Sequence, residues 1–596
     1  MKFKLYQIVF LLIFPLFSYA QWSDNSEVNK LLSADLNKST LAKIAVCPDG
    51  NYYVSWNYDD NLNFNTYLHY YDKNGYQLWE QPLLISDNET RTWITDYSLS
   101  VDEDNCAIIS FQDIRNYGKS PTDESDVFVY KINQYGQFLW SEDGIKVTPG
   151  IGSFTASPKI CITDEGNYIV AWSAAEISFR DSIPERCQVY VNKLDKDGNT
   201  LWENPIVLVD TLWQYIFPEI IPTDDDGFIL TWMQYKDKSR FGALAWRYIY
   251  AQKYDSDGNP VWEKDVAVFD ELGIPPNTFL IPEAKTDGYG GAIFVWRIGQ
   301  GFSINIRAQH LSSEGIEMWE HNGIKVCIDD EINQDYPSFA YNPTNKNLFV
   351  FWITDYYDGV EMLYYIGLYG NLLNQEGERI WGENGKEFVA PVSALEPFPQ
   401  LQNVRLGNDN ALVLYSMSNK QSSQDNRYDT LRAALINEEG EYVWDSDYID
   451  VCSNPSFKMF ISLSEFSMEQ WVAIWGDSRN TLINYNQDIY GQNINFDGTI
   501  GIGETSVDED FTSDFILSPN PASDNIEISG FINPRVNPWV DTDRVVINIY
   551  NTLGELVLTV ETLHATSIRR IDLSHLPIGL YYIKIGNYFE KFVVVR

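Results

Sequence analysis

Histidine is scarce in this chain of 596 residues. There are five, none in an H-E-x-x-H pair or at another metal-ligand spacing, so zinc hydrolysis has no ligand set to start from. His69 and His310 fall near the ends of strand-like runs and read as satisfied strand residues. Cysteine is nearly as sparse: Cys47, Cys106, Cys161, Cys187, Cys327 and Cys452 are scattered without a C-x-x-C pair, most of them inside apolar runs where a small buried hydrophobe is the simple reading. Basic residues number 42 against 84 acidic ones, a net charge of −42, which excludes a nucleic-acid binder. No run beyond the N-terminal one approaches the roughly 18 apolar residues of a membrane span. Gly118-Lys119-Ser120 lacks the earlier glycine of a phosphate loop, and Ser478 in Gly476-Asp477-Ser478-Arg479 occupies the repeat position of Ile114, which removes it as a nucleophile. Carboxylates are too numerous for the sequence to single out a glycosidase pair. No catalytic residue, metal ligand or cofactor is therefore assigned. Asp195-x-Asp197-x-Asn199 and Asp255-x-Asp257-x-Asn259 begin like calcium loops but lack the sixth-position Gly and twelfth-position Glu, so calcium is an alternative without support.

Buried-type material is abundant. Apolar residues make up 44% and aromatics 15%, too much for a disordered acidic chain. Residues 1–20 read as a secretory signal peptide: Lys2 and Lys4, an apolar run from Ile8 to Phe17, then Ser18-Tyr19-Ala20 before a cut. Removing the two lysines takes the charge to −44, so anionic membranes and polyanions would repel the exported chain.

Repeats dominate the chain beyond the signal. Seven times a strand and a polar turn lead into G-x-x-x-W, ending on Trp79, Trp140, Trp202, Trp262, Trp319, Trp381 and Trp444, spaced 57 to 63 residues apart. Upstream of each lies an apolar run closing on an aromatic, and this element occurs eight times: Trp56, Phe111, Trp172, Trp232, Trp296, Trp352, Tyr415 and Trp475. The eighth unit ends at Phe496-Asp497-Gly498 without its tryptophan, whereas the chain after the signal opens on Gln21-Trp22. The arithmetic predicts an all-β fold, an eight-bladed β-propeller over 21–501 whose last sheet is completed by its own N-terminus. The G-x-x-x-W element resembles the tryptophan-docking motif of quinoprotein-type propellers, which implies that Trp22 and the seven other tryptophans wedge between blades. That family's quinone and dehydrogenase activity do not come with the motif, because the period is longer here and no adjacent cysteine pair is present. The Gly-to-Trp spacing is also one residue longer than that of the sialidase Asp-box.

Second-to-third connections carry about ten to fifteen polar residues, longer than ordinary hairpin loops, and all would share one rim. Tyr58, Arg115, Tyr117, Tyr235, Arg240, Tyr356 and Arg479 are the candidate binding residues there. Asp113/Arg115 and Asp477/Arg479 form a repeated D-x-R pattern with a blander reading, ion pairs that hold a loop.

Residues 502–513 break the repeat and read as a linker. Short strands and sharp turns over 514–596 predict a small immunoglobulin-like β-sandwich. Three blocks mark it: Pro519-Asn520-Pro521, Tyr550-Asn551-Thr552-Leu553-Gly554, and Leu576-Pro577-Ile578-Gly579-Leu580-Tyr581. Together they resemble the type A C-terminal sorting domain of the bacterial type IX secretion system. The resemblance implies recognition by that machinery, export across the outer membrane, and display or release outside the cell.

Two functions fit an exported propeller without a catalytic motif. The first is a recognition or adhesion module for an extracellular glycan or protein. The alternative is an extracellular enzyme acting on polysaccharide or protein. Inward carboxylates with an Arg or Tyr at the channel mouth would favour the enzyme, and rim aromatics would favour binding.

Overall fold

The computed structural model describes residues 21–33, 38–59, 64–88, 90, 97–116, 124–149, 154–176, 186–236, 246–274, 281–300, 303–419, 428–480, 486–502, 515–530, 545–551, 556–562, 569–585 and 588–596. The signal peptide, most of the 502–513 linker, Tyr117, Arg240 and Gly554 lie outside them. The chain divides into two compact units, Met1–Gly503 and Glu504–Arg596.

Every regular element among the described residues of the first unit is a strand, and the strands assemble into eight four-stranded antiparallel sheets. Seven are simple meanders of consecutive strands. In the eighth, Lys30–Leu31 pairs with Asp488–Asn495, so the fourth strand comes from the N-terminal end of the chain. First strands of successive sheets lie side by side except between the fifth and sixth, where Asn333–Asn342 packs against Ala292–Gln300 and Ser303–Leu311, and Ser39–Val46 of the first sheet packs against Lys458–Leu463 of the last. Consecutive four-stranded meanders packed sheet against sheet are the plan of a β-propeller.

Second strands are the most buried. Ala107–Asp113 and Phe228–Tyr235 are covered along their whole length, because each lies between two strands of its own sheet and between two neighbouring sheets. This explains their near-continuous apolar runs, where a half-solvated strand would alternate. Five first strands carry a bulge at one non-glycine residue with positive φ: Leu41, Ser157, Phe217, Tyr336 and Phe460. A bulge re-aims the side chain at that point.

The tryptophans link neighbouring sheets. Trp79 Nε1 donates to Gln134 O (2.7 Å), Trp262 Nε1 to Ser313 O (2.9 Å), Trp381 Nε1 to Glu438 O (2.7 Å) and Trp444 Nε1 to Phe496 O (2.9 Å). Trp140, Trp202 and Trp319 donate likewise to Lys196, Ser256 and Gln375. In every case the acceptor lies two residues before the turn glycine of the next repeat, against which the ring rests. Trp22 makes the same contact with Lys73 O and Gly75 of the first repeat.

The second unit has a three-stranded sheet, of strands Phe515–Ser518, Asn525–Gly530 and Arg569–Asp572, and a four-stranded sheet. Residues from both, among them Ile526, Ile571, Ile549, Ile583 and Phe592, form one buried core. The Pro519-Asn520-Pro521 block is clipped to the last strand: Asn520 Nδ2 donates to Lys591 O and Asn520 Oδ1 accepts from Val593 N, both at 3.1 Å. Gly579 starts the strand Gly579–Ile585, and Tyr581 stacks on Phe592 while its hydroxyl donates to Pro577 O at 2.8 Å.

Candidate functional site at the seam of the fifth and sixth sheets

Several residues expected on the rim are engaged elsewhere. Tyr235 is fully buried, its hydroxyl directed at Cys187 Sγ, so it is corrected from a rim residue to a core residue. Tyr58 and Tyr356 sit in strands, Tyr52–Asp59 and Asn347–Asp358, and not in loops. The two D-x-R arginines are ion-paired at their own motifs. Arg115 Nε donates to Asp113 Oδ2 at 2.9 Å with its guanidinium over Phe128, and Arg479 Nη2 donates to Asp477 Oδ2 at 2.7 Å and to Asn29 Oδ1 at 3.1 Å. They hold the chain in place.

The carboxylates of the two motifs differ. Burial raises the Asp113 carboxyl, and Arg115 does not fully offset it. Burial would raise Asp477 too, but Lys458 and Arg479 outweigh it and hold the carboxyl down to about 2. His310 is paired, its Nε2 2.9 Å from Asp287 Oδ2. His69 is fully buried beside the main chain of Trp79, which favours its protonated form but does not outweigh burial. All six cysteines are buried free thiols. Asp195 and Asp255 each accept main-chain N–H groups within their own turns, and no group of three or more His, Cys, Asp or Glu side chains among the described residues could hold a metal ion.

Polar and aromatic groups converge at one place, the seam between the fifth and sixth sheets. The first strand of the fifth sheet is short, Glu283–Thr286, and pairs with Ala292–Gln300 only as far as Val295. Among the described residues the rest of that second strand has no inner partner. Arg297 on this stretch reaches the first strand of the sixth sheet, where its Nη1 donates to Asp335 Oδ1 and Oδ2 at 2.5 and 2.7 Å. Tyr336 follows on the bulge, φ 51°, and is 57% exposed. Asp355 pairs in register with Asn333, which puts it on the same face as Asp335 one diagonal step away. Its carboxyl is raised, first by burial and then by Asp335, with Asn333 and Arg297 pulling the other way.

Beyond Asp355 the same two strands run on as an exposed hairpin. Tyr356 stacks on Tyr365 (centroids 5.5 Å, 12°) and Tyr357 packs on Tyr364 (5.1 Å). Tyr356, Tyr357 and Tyr364 are all exposed. Such tyrosine faces suit contact with a ligand that has both apolar and hydroxyl-rich surface. The seam can thus supply a cation fixed by a carboxylate, a second carboxylate with a raised pKa, and a run of open aromatic faces. No sequence motif marks it, since its charged groups come from three separate strands.

The secretion system C-terminal sorting domain family matches residues 517–595. No curated protein matches the chain. Solved structures similar to it include a polysaccharide lyase of family PL25, an ulvan lyase bound to a GlcA–Rha3S oligosaccharide (11% identity, 80% of this chain and 96% of that one, TM-score 0.38). Others are a Penicillium chrysogenum α-L-arabinanase complexed with arabinobiose (11%, 79% and 96%, TM-score 0.33) and a Fusarium graminearum GH93 α-L-arabinofuranosidase (13%, 55% and 92%, TM-score 0.32). These proteins' substrates are their own.

The chain is thus an exported all-β protein, a propeller followed by a sorting domain. It is secreted through the type IX route to the cell surface or the extracellular space. No helix among the described residues is long and apolar enough to cross a membrane.

Proposed function

We propose that the eight sheets form one eight-bladed ring, completed by Lys30–Leu31 and fastened by Trp22, and that it serves as a recognition module for an extracellular glycan. The observation that carries this reading is the double layer of exposed tyrosines on the sixth-sheet hairpin, continuous with the Arg297–Asp335 seam. The sorting domain supports a partner outside the cell, and the type IX machinery is the partner of that domain. A glycan panel, with and without calcium, tests it on the full exported chain. Saturable binding that weakens roughly three- to ten-fold in Tyr356→Ala and Tyr364→Ala is expected. Binding untouched by both variants would move the site elsewhere, and binding of proteins alone would replace the ligand class.

A second reading has its own observation. Asp335, Asp355, Arg297 and Tyr336 are the combination of carboxylates, Arg and Tyr that favours an enzyme, and the raised carboxyl of Asp355 suits a proton donor. Product release from a bound glycan, abolished in Asp355→Asn, would establish it. Binding without product supports the recognition module.

A further inference from the structure

Six second strands carry tryptophan at the same place: Trp56, Trp172, Trp232, Trp296, Trp352 and Trp475. In three of them the residue two positions on accepts the indole N–H: Trp232 donates to Gln234 Oε1 (3.1 Å), Trp352 to Thr354 Oγ1 (3.0 Å) and Trp475 to Asp477 Oδ2 (2.8 Å). In the other three that residue is Tyr58, Ala174 and, in the fifth sheet, Ile298. Trp296 Nε1, on a side chain only 2% exposed, meets no acceptor. A buried donor left unmet is destabilising and needs a physical reason.

The surroundings supply one. Trp296 lines a cavity of about 40 Å³ together with Ile274, Ile281, Glu283, Arg297 and Pro337. By that measure there is room for about three water-sized groups. Arg297 Nε is a second buried donor without an acceptor. Two residues that line the space, Trp296 and Arg297, thus each carry a buried N–H without an acceptor, and Ile274, Ile281 and Pro337 supply an apolar part of its wall. Its charges disfavour an anion: Asp335 already neutralises Arg297, and Glu283 takes Lys285 at 2.9 Å, which leaves the raised carboxyl of Asp355 beside the seam. What fits is a small neutral group with one strong acceptor and one apolar end.

Resting on the glycan-recognition reading, we infer that this cavity takes the acetamido group of an N-acetylated amino sugar. The carbonyl oxygen accepts from Trp296 Nε1, the methyl packs among Ile274, Ile281 and Pro337, and the sugar ring lies toward exposed Tyr336, the neighbour of Pro337. No bond is made or broken.

Calorimetry on the full exported chain tests this with a tetramer of N-acetylglucosamine, the deacetylated glucosamine tetramer, a tetragalacturonate and a broad panel of neutral glycans. The acetylated tetramer should bind at least roughly ten-fold more tightly than the other two tetramers, since only it satisfies the buried donor. Trp296→Phe, which removes the N–H and keeps most of the packing, should lose that preference. Ile298→Gln should lose it as well, by giving the indole the internal acceptor that Gln234 gives Trp232, and its melting temperature should not fall. Equal affinity for acetylated and deacetylated tetramers, or an acetyl preference that survives in a folded Ile298→Gln protein, overturns the inference and leaves glycan recognition standing. Binding of no glycan in the panel overturns both.

Discussion

Trp22 stacks on Tyr52 with ring centroids 5.9 Å apart and planes 15° from parallel, although Tyr52 begins the second strand of the first sheet and Trp22 belongs to the segment that completes the last. Its ring is 1% exposed and its indole N–H donates to Lys73 O at 3.3 Å. One side chain therefore bridges the two ends of the sheet series. Replacing it with alanine removes a large buried aromatic and leaves a cavity that backbone on both sides cannot fill. Trp22→Ala should cost about 3–5 kcal/mol in urea unfolding. Trp140→Ala should cost less, because Trp140 is half-buried and makes its hydrogen bond near solvent.

The turn glycines against which the tryptophans rest separate two costs that usually come together. Gly315 and Gly136 both have positive φ, 74° and 76°, so alanine is strained at either. An added Cβ at Gly315 would lie 2.6 Å from the Trp262 ring, whereas at Gly136 it would lie 3.6 Å from Trp79, an ordinary contact. Gly136→Ala should lose about 1–2 kcal/mol from backbone strain alone. Gly315→Ala should lose about 1–3 kcal/mol more from overpacking. Thermal melts of the two variants side by side measure the difference, and equal losses would show that the ring yields freely.

The repeat was open to reading because one spacing carries two structural duties: the glycine allows the turn, and the tryptophan four residues on reaches the next turn. The rim was harder, because burial depends on what lies across the strand and not on residue type. Tyr235 and Tyr356 both lie toward the ends of second strands, yet the first is sealed by its neighbours and the second is on an exposed hairpin. Arg297, Asp335 and Asp355 share no motif, since three strands bring them together. One signal was present and passed over. Trp232-x-Gln234, Trp352-x-Thr354 and Trp475-x-Asp477 each place an acceptor two residues after tryptophan, whereas Trp172-x-Ala174 and Trp296-x-Ile298 place an apolar residue there.

His69 should make the propeller sensitive to mild acid. Burial lowers its pKa to about 4, and its ring packs edge-on against Tyr71 and Trp79. The unfolded chain takes up the proton near pH 6.5 and the folded one only near 4. Stability from the neutral ring is therefore complete above pH 6.5 and falls as pH drops toward 4. His69→Phe, which keeps an aromatic ring among aromatic neighbours, should flatten the stability profile between about pH 6.5 and 4. An unchanged slope in urea titrations across that window would assign the acid sensitivity to other groups.

The two D-x-R motifs should respond to acid with opposite signs. Asp477 accepts from Ser456 Oγ (2.6 Å), Trp475 Nε1 (2.8 Å) and Arg479 N (2.9 Å), and Lys458, wholly enclosed, sits 3.4 Å away. Its carboxyl, at about 2 in the folded chain, stabilises the fold by about 2 kcal/mol above pH 4, and that contribution is lost as pH falls from about 4 to 2. Asp113 is ion-paired with Arg115, and Asp126 lies close enough to raise it further. Its folded pKa stands above the unfolded value, so its contribution is greatest below about pH 4 and declines as pH rises through the folded pKa. Asp477→Asn should therefore lose stability at about pH 7 and show a shallower fall between about pH 4 and 2. Asp113→Asn should steepen the net loss on acidification, because it removes a group that gains stability there. Chemical denaturation of both variants at about pH 7, 4 and 2 separates these outcomes. Parallel curves would mean that the second cation at Asp477 makes no difference.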